Sequence, residues 1–359
     1  MKTKEGPVIV YKKTSGSRCV PPFLFLAVTV MALFLCRPVA AQVPSPPEKK
    51  ITLLSDGESE PLNDLTLRFK KALEILAEGE ISPVFKDIKG THWQKEKAAI
   101  ALEEALKDPA VDLIFINGPL LAAEALKTAQ KHKKPIVGLF SFDPDFVLLK
   151  RSAGRQPLSL AVIPEQIQTD LQTMAQMFKA RKLTFLVDGA LLGQVKGLKQ
   201  QLEASAKKQG FTASIKPVLD TASKTLKGLG KNMKAVYLTP GLQMPASQRK
   251  QLMGELNKRG CFVFSGAGAT DVQDGALAGQ LPPMNERLAR HAALNAMRFF
   301  SGMGSRNPLE SLKPKRKLQI NENTAALVKY RVSEAVAEKA REVEPESPQK
   351  SVVAALPEV

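Results

Sequence analysis

The residues of this chain that could do chemistry are few and widely spaced. His92, His132 and His291 lie far apart, without the close pairing by which imidazoles gather a zinc ion, so the sequence offers no metal centre. A hydrolase nucleophile on a strand-to-helix elbow needs Gly-x-Ser-x-Gly, which is absent. The first apolar run leads into Ser55-Asp-Gly-Glu-Ser-Glu60, with acidic side chains where a dinucleotide's pyrophosphate needs bare backbone. Ser265-Gly-Ala-Gly-Ala-Thr270 has glycine enough to cradle an anion but lacks the lysine of a phosphate-binding loop. Asp143 and Asp145 are near enough for a carboxylate pair, yet Pro144 between them is ordinary turn chemistry. The expectation is a protein that binds and does not catalyse, with no cofactor.

The chain has 359 residues, 52 Lys and Arg against 35 Asp and Glu, a formal charge of +17 and 44% apolar positions. That length and apolar content predict two domains, each with its own core. Aromatics at 6% are too scarce for a base-stacking surface. The densest basic run, Lys313-Pro-Lys-Arg-Lys317, reads as a solvated loop, and no nucleic-acid partner is expected.

Lys2, Lys4, Lys12, Lys13 and Arg18 precede an apolar run of 14 residues, Phe23 to Cys36, followed by Val39-Ala-Ala41. This reads as a signal peptide over residues 1–41, too short for a conventional membrane span; the competing reading is an uncleaved anchor. Without it the charge is +12, which favours acidic partners or anionic solutes through encounter rate. Of three cysteines only Cys261 lies beyond the leader, in an apolar run, so no internal disulfide is expected and the thiol reads as buried and inert. Residues 42–50 read as a polar linker, and 344–359, with Pro345, Pro348 and Pro357, as a disordered tail.

Between these ends, short apolar runs alternate with helical periodicity. Ile51–Leu54 is a strand; Leu62, Leu65, Phe69, Leu73 and Leu76 line a helix. The pattern repeats through strands at 81–88, 111–116 and 135–140, then restarts at 158–163. Further strands fall at 183–187, 211–219, 235–238 and 261–264, with helices between. Such alternation predicts an α/β fold of two Rossmann-like, doubly wound parallel-sheet lobes joined by a hinge. The first lobe takes residues 51–157 with 276–303, and the second takes 158–275 with 318–343.

The order of elements, with the helix start at Pro61-Leu-Asn63, the segment Ala276 to Phe300 and Leu318-Gln-Ile-Asn-Glu-Asn-Thr-Ala325, resembles the substrate-binding proteins of bacterial ABC transporters, which have the type I periplasmic binding protein fold. Lys329 and Ser333 depart from that family's usual glycine and proline. The resemblance implies that a solute binds beyond the carboxyl ends of the strands, where loops of both lobes face a crevice. Those ends carry Ser55, Asp56, Asn117, Gly118, Ser141, Phe142 and Asp143 from the first lobe, and Asp188, Thr239, Ser265 and Gly266 from the second. Taken singly, such residues are as readily turns or helix caps. The implied protein is a periplasmic monomer that captures a small polar solute by closure of its lobes and presents it to a transporter permease. The alternative is a ligandless or sensory descendant that binds a protein partner; its crevice would be filled by bulky side chains.

Overall fold

The computed structural model describes residues 45–86, 89–140, 142–146, 157–230, 232–241, 243–305 and 307–341. The leader, Ser141 and the tail beyond 341 lie outside the described residues. In chain order the first elements are β1 (Glu48–Ser55), α1 (Glu60–Ala77), β2 (Ser82–Phe85), β3 (Lys89–Gly90), α2 (Lys95–Lys107), β4 (Leu113–Asn117), α3 (Pro119–Thr128), β5 (Ile136–Phe140) and β6 (Leu158–Val162). Then come α4 (Gln166–Met177), β7 (Lys182–Asp188), α5 (Gly189–Gln194), α6 (Leu198–Lys208), β8 (Thr212–Val218), α7 (Ala222–Lys227), β9 (Ala235–Leu238), α8 (Ala246–Lys258), β10 (Phe262–Ser265), α9 (Ala269–Gln273) and β11 (Ala278–Gly279). The last are α10 (Asn285–Phe300), β12 (Leu309–Ser311), β13 (Gln319–Ile320), α11 (Glu322–Leu327) and α12 (Glu334–Arg341).

Among the described residues, seven strands form one sheet in the order β12-β6-β5-β4-β1-β2, with β3 beside the end of β1. Six form the other, in the order β13-β11-β10-β9-β7-β8, parallel except for β13. The central strands are buried on both faces, which is why they read as continuous apolar runs. In the first sheet Ile51, Leu53, Phe115 and Val137 face α1 and α10, while Leu54, Ile114, Ile116 and Leu160 face α2 and α3. Phe69 of α1 stacks on Phe115, ring centroids 3.8 Å apart. A small-residue face of α10, Ala289, Ala292, Ala293 and Ala296, lets that helix lie close against α1.

Three expectations need correction. Residues 158–163 do not open the second lobe: β6 pairs in parallel with β5 and β12, so the chain leaves the first sheet only after Val162. Its apolar sequence suits either sheet equally, and non-local pairing decides. Conversely Ala278–Gly279, expected in the first lobe, pairs with β10 and β13 of the second, and of the expected segment 276–303 it is α10 that packs on the first sheet. Glu48 to Lys50, expected as linker, extend β1 by pairing with Ser82 to Val84, and the Lys50 N–H donates to the Asp112 carboxylate at 2.7 Å.

The chain passes between the sheets three times: from β6 to β7, from β11 through α10 to β12, and from β12 to β13. The last passage carries the basic run. There Arg316 is only half-exposed, and its Nη2 donates to the Pro164 carbonyl at 3.0 Å.

Candidate functional site

Both sheets have the same winding, with the reversal of strand order between β1 and β4 in the first and between β7 and β9 in the second. The crevice of a doubly wound sheet lies at that reversal. In each, the aspartate that ends the first strand reaches across it. Asp56 accepts the N–H groups of Leu120 and Leu121 at 2.7 and 2.8 Å, capping α3. Asp188 accepts the N–H of Ala190 at 3.0 Å and that of Gln243 at 3.1 Å. A carboxylate on first-turn N–H groups occupies the place an anionic ligand would take at a helix N-terminus.

The other described residues expected at the site are engaged too, although Asn117 Oδ1 is buried without a hydrogen-bond partner among the described residues. Ser55 Oγ donates to the Gly57 carbonyl, and Asn117 Nδ2 donates to the Leu62 carbonyl and to Thr66 Oγ1. Gly118, at φ 130°, must lack a Cβ, which would stand 2.4 Å from the Asp56 carboxyl. Asp143 accepts the Ile167 N–H at 2.9 Å and the Asp145 N–H at 3.1 Å, so it caps α4 and makes the expected turn. Phe142 is buried in an apolar cluster with Leu120, Leu121, Phe146, Leu191 and Leu198. Through that cluster α3 meets α5, and the turn Pro144–Phe146 meets α6. Thr239 gives its carbonyl to Arg249, Ser265 Oγ donates to the Asp271 carboxylate, and the Gly266 carbonyl accepts from Gln166 Nε2.

The glycine-rich loop offers no anion cradle, since its N–H groups are spent internally. Gly266 donates to the Leu238 carbonyl, Ala267 to Ser265 Oγ, Gly268 to the Ser265 carbonyl and Ala269 to the Leu281 carbonyl. No group of three or more His, Cys, Asp or Glu side chains suited to a metal ion occurs among the described residues. Burial pushes the Cys261 thiol above its ordinary pKa, consistent with an inert core position.

A cavity of about 810 Å³ opens to one side of these strand ends. Its walls come from the N-terminal half of α1, the loops after β9 and β10, and residues 281–288. Of the expected site residues that are described, only Gly266 lines it. Leu65, Ile163, Met244, Leu281 and Met284 give it apolar walls. The polar groups include Glu60, whose Oε2 accepts the Ala246 N–H at 3.0 Å and so ties α1 to α8. Arg68 holds Asp64 with two contacts of 3.0 and 2.9 Å. Well buried is the pair of Arg249, 7% exposed, and Asp271, 4% exposed, with Nε at 2.9 and 2.8 Å from the two carboxylate oxygens. The sequence carries one signal for this pair: Arg249 interrupts the apolar stripe Leu252, Met253, Leu256 that seats α8.

Removing the counter-charge leaves a buried guanidinium unbalanced. Asp271→Asn is expected to cost about 3 kcal/mol, toward the low end for a broken buried pair, because the amide still accepts one hydrogen bond. Urea denaturation midpoints measure it; an unchanged midpoint would mean that the pair is solvated in solution.

Two mostly parallel sheets with flanking helices and three passages between them have the architecture of type I periplasmic binding proteins. Solved structures with this fold include a conserved domain protein from Vibrio cholerae, 16% identical over 82% of this chain and 98% of that one, with a TM-score of 0.63. An ABC domain from Streptococcus pneumoniae in complex with L-Trp is 14% identical over 81% and 99%, with a TM-score of 0.61. An ABC transporter solute-binding protein from Mycobacterium smegmatis with bound glycerol is 16% identical over 78% and 97%, with a TM-score of 0.51. No protein-family model and no curated protein matches the sequence.

Proposed function

We propose that this chain is an extracytoplasmic solute-binding protein that holds a small molecule between its lobes and presents it to an ABC-type transporter. The cavity of about 810 Å³ walled from both lobes carries this reading, since it falls within the usual 300–1,000 Å³ of small-ligand sites. Solute contacts made only when the lobes close shift the balance toward the closed form, whose surface a permease can recognise; no covalent step is required. The basic, then apolar, N-terminal leader supports export to the periplasm, by cleavage or as an anchor. No helix among the described residues is long and apolar enough to cross a membrane.

One observation favours a second reading. The strand-end crevice is packed with Leu120, Leu121, Phe142, Phe146, Leu191 and Leu198, as expected of a descendant that engages a protein partner in place of a solute. A thermal-shift panel on ligand-free protein separates the two. Amino acids, sugars, polyols, nucleosides and short amides and carboxylates are the probes. A true solute at about 100 times its dissociation constant stabilises by about 2.7 kcal/mol, a clear rise in melting temperature. A panel in which nothing moves the transition overturns the solute-binding reading and leaves the partner-binding one.

A further inference from the structure

Arg249 is held like a fork with one tine free. Its Nε lies on Asp271, and its Nη2 donates to the Thr239 carbonyl at 2.9 Å and reaches Ser265 Oγ at 3.4 Å. Nη1, shielded from bulk solvent, has no hydrogen-bond partner among the described residues. It stands beside Gly241, where an added Cβ would come within 3.0 Å of it, and Gly241 and Arg249 both line the cavity. Two N–H donors are thus fixed in direction by the other contacts of the same planar group, at a wall where Gly241 carries no side chain to cover them.

The surrounding charge restricts what that acceptor can be. Arg249 is balanced by Asp271, Arg68 by Asp64, and Asp274 by Lys250 at 3.3 Å. Glu60 and Glu286 add carboxylates at the exposed edge, the latter within Coulombic reach of Arg68. A carboxylate solute would therefore meet a wall with an excess of negative groups, although the chain as a whole is strongly basic. Leu65, Ile163, Met244, Leu281 and Met284 suit an apolar skeleton.

We infer that Arg249 Nη1 is the docking point for the solute, and that the solute is a small apolar skeleton ending in an uncharged oxygen acceptor such as an amide or ketone carbonyl. The inference rests on the solute-binding reading and reverses the preference for an anion drawn from net charge alone. Gly241 guards the donor: a methyl group there would stand 3.0 Å from Nη1, in the place of an acceptor.

The test is calorimetric titration of 3-phenylpropanamide and 3-phenylpropanoate, and of any solute found by the thermal-shift panel, into wild-type, Gly241→Ala and Gly241→Val proteins. Melting temperatures of the free variants report whether they remain folded. The amide is expected to bind about tenfold or more tightly than the carboxylate, and to lose about tenfold or more in Gly241→Ala, with a larger loss in Gly241→Val. Equal affinities for amide and carboxylate, or a bound solute indifferent to both Gly241 variants, overturn this inference alone. If neither probe nor any panel member binds wild-type protein, the solute-binding reading falls and the inference falls with it.

Discussion

Gly268→Ala is expected to destabilise the protein by at least about 4 kcal/mol and to abolish most soluble expression. Gly268 has φ 68° and ψ −131°, a conformation that L side chains rarely adopt. A Cβ built there lies 2.0 Å from the Leu281 carbonyl oxygen and 2.6 Å from the Leu281 nitrogen, so the obstacle is backbone and not a side chain that can swing away. That backbone is already engaged, since the Ala269 N–H donates to the Leu281 carbonyl at 2.8 Å. The same contact seats the passage into α10, and its loss disturbs both sheets. Soluble yield and a urea midpoint measured beside Gly193→Ala, where an added Cβ meets nothing within 4 Å, check the expectation. Equal midpoints for the two variants would contradict it.

The second large effect is a stability that declines from mildly acidic to neutral pH. Burial raises the Asp56 and Asp170 carboxyls from 3.8 to about 7, and that of Asp143 to about 6. Burial outweighs their hydrogen bonds, which include Gln280 Nε2 and Tyr237 Oη on Asp170. In the unfolded chain these groups lose their protons near pH 4, whereas the native chain keeps them to about 6 or 7. Folding therefore retains protons within that window, and stability falls as pH rises through it, then levels off above about 7. Asp56 and Asp170 can each contribute up to roughly 4 kcal/mol. Glu310, lowered by His291 and neighbouring hydroxyl and amide donors against its own burial, acts in the opposite sense at lower pH. Urea midpoints are expected to be higher at pH 5 than at pH 8, and Asp170→Asn, which keeps the shape of the side chain, is expected to shrink the difference. A midpoint at pH 8 equal to or above that at pH 5 would show that these carboxyls are hydrated.

The elements themselves were largely legible because each carries a local signature. Leu62, Leu65, Phe69 and Leu73 announce α1 at helical spacing, and the apolar run 135–140 announces β5. Sheet membership was not legible for β6 or β11, since a buried parallel strand has no face that marks its partner. The short strand Leu309–Ser311 carries too few residues for a periodic signal. At the candidate site, the strand-end residues were found where the winding requires them. Their types, however, do not distinguish a ligand contact from a cap, and the structure uses Asp56, Asp143 and Asp188 as caps. Arg249 and Asp271 were invisible as a pair because 22 positions separate them and only the fold brings them within hydrogen-bond range.

The three passages between the sheets also govern how the halves can come apart. Three connections between the same two halves resist pulling and shearing better than bending, so rocking about the connections is the movement expected of them. A single backbone nick in any one of them would still leave the halves fastened by the other two.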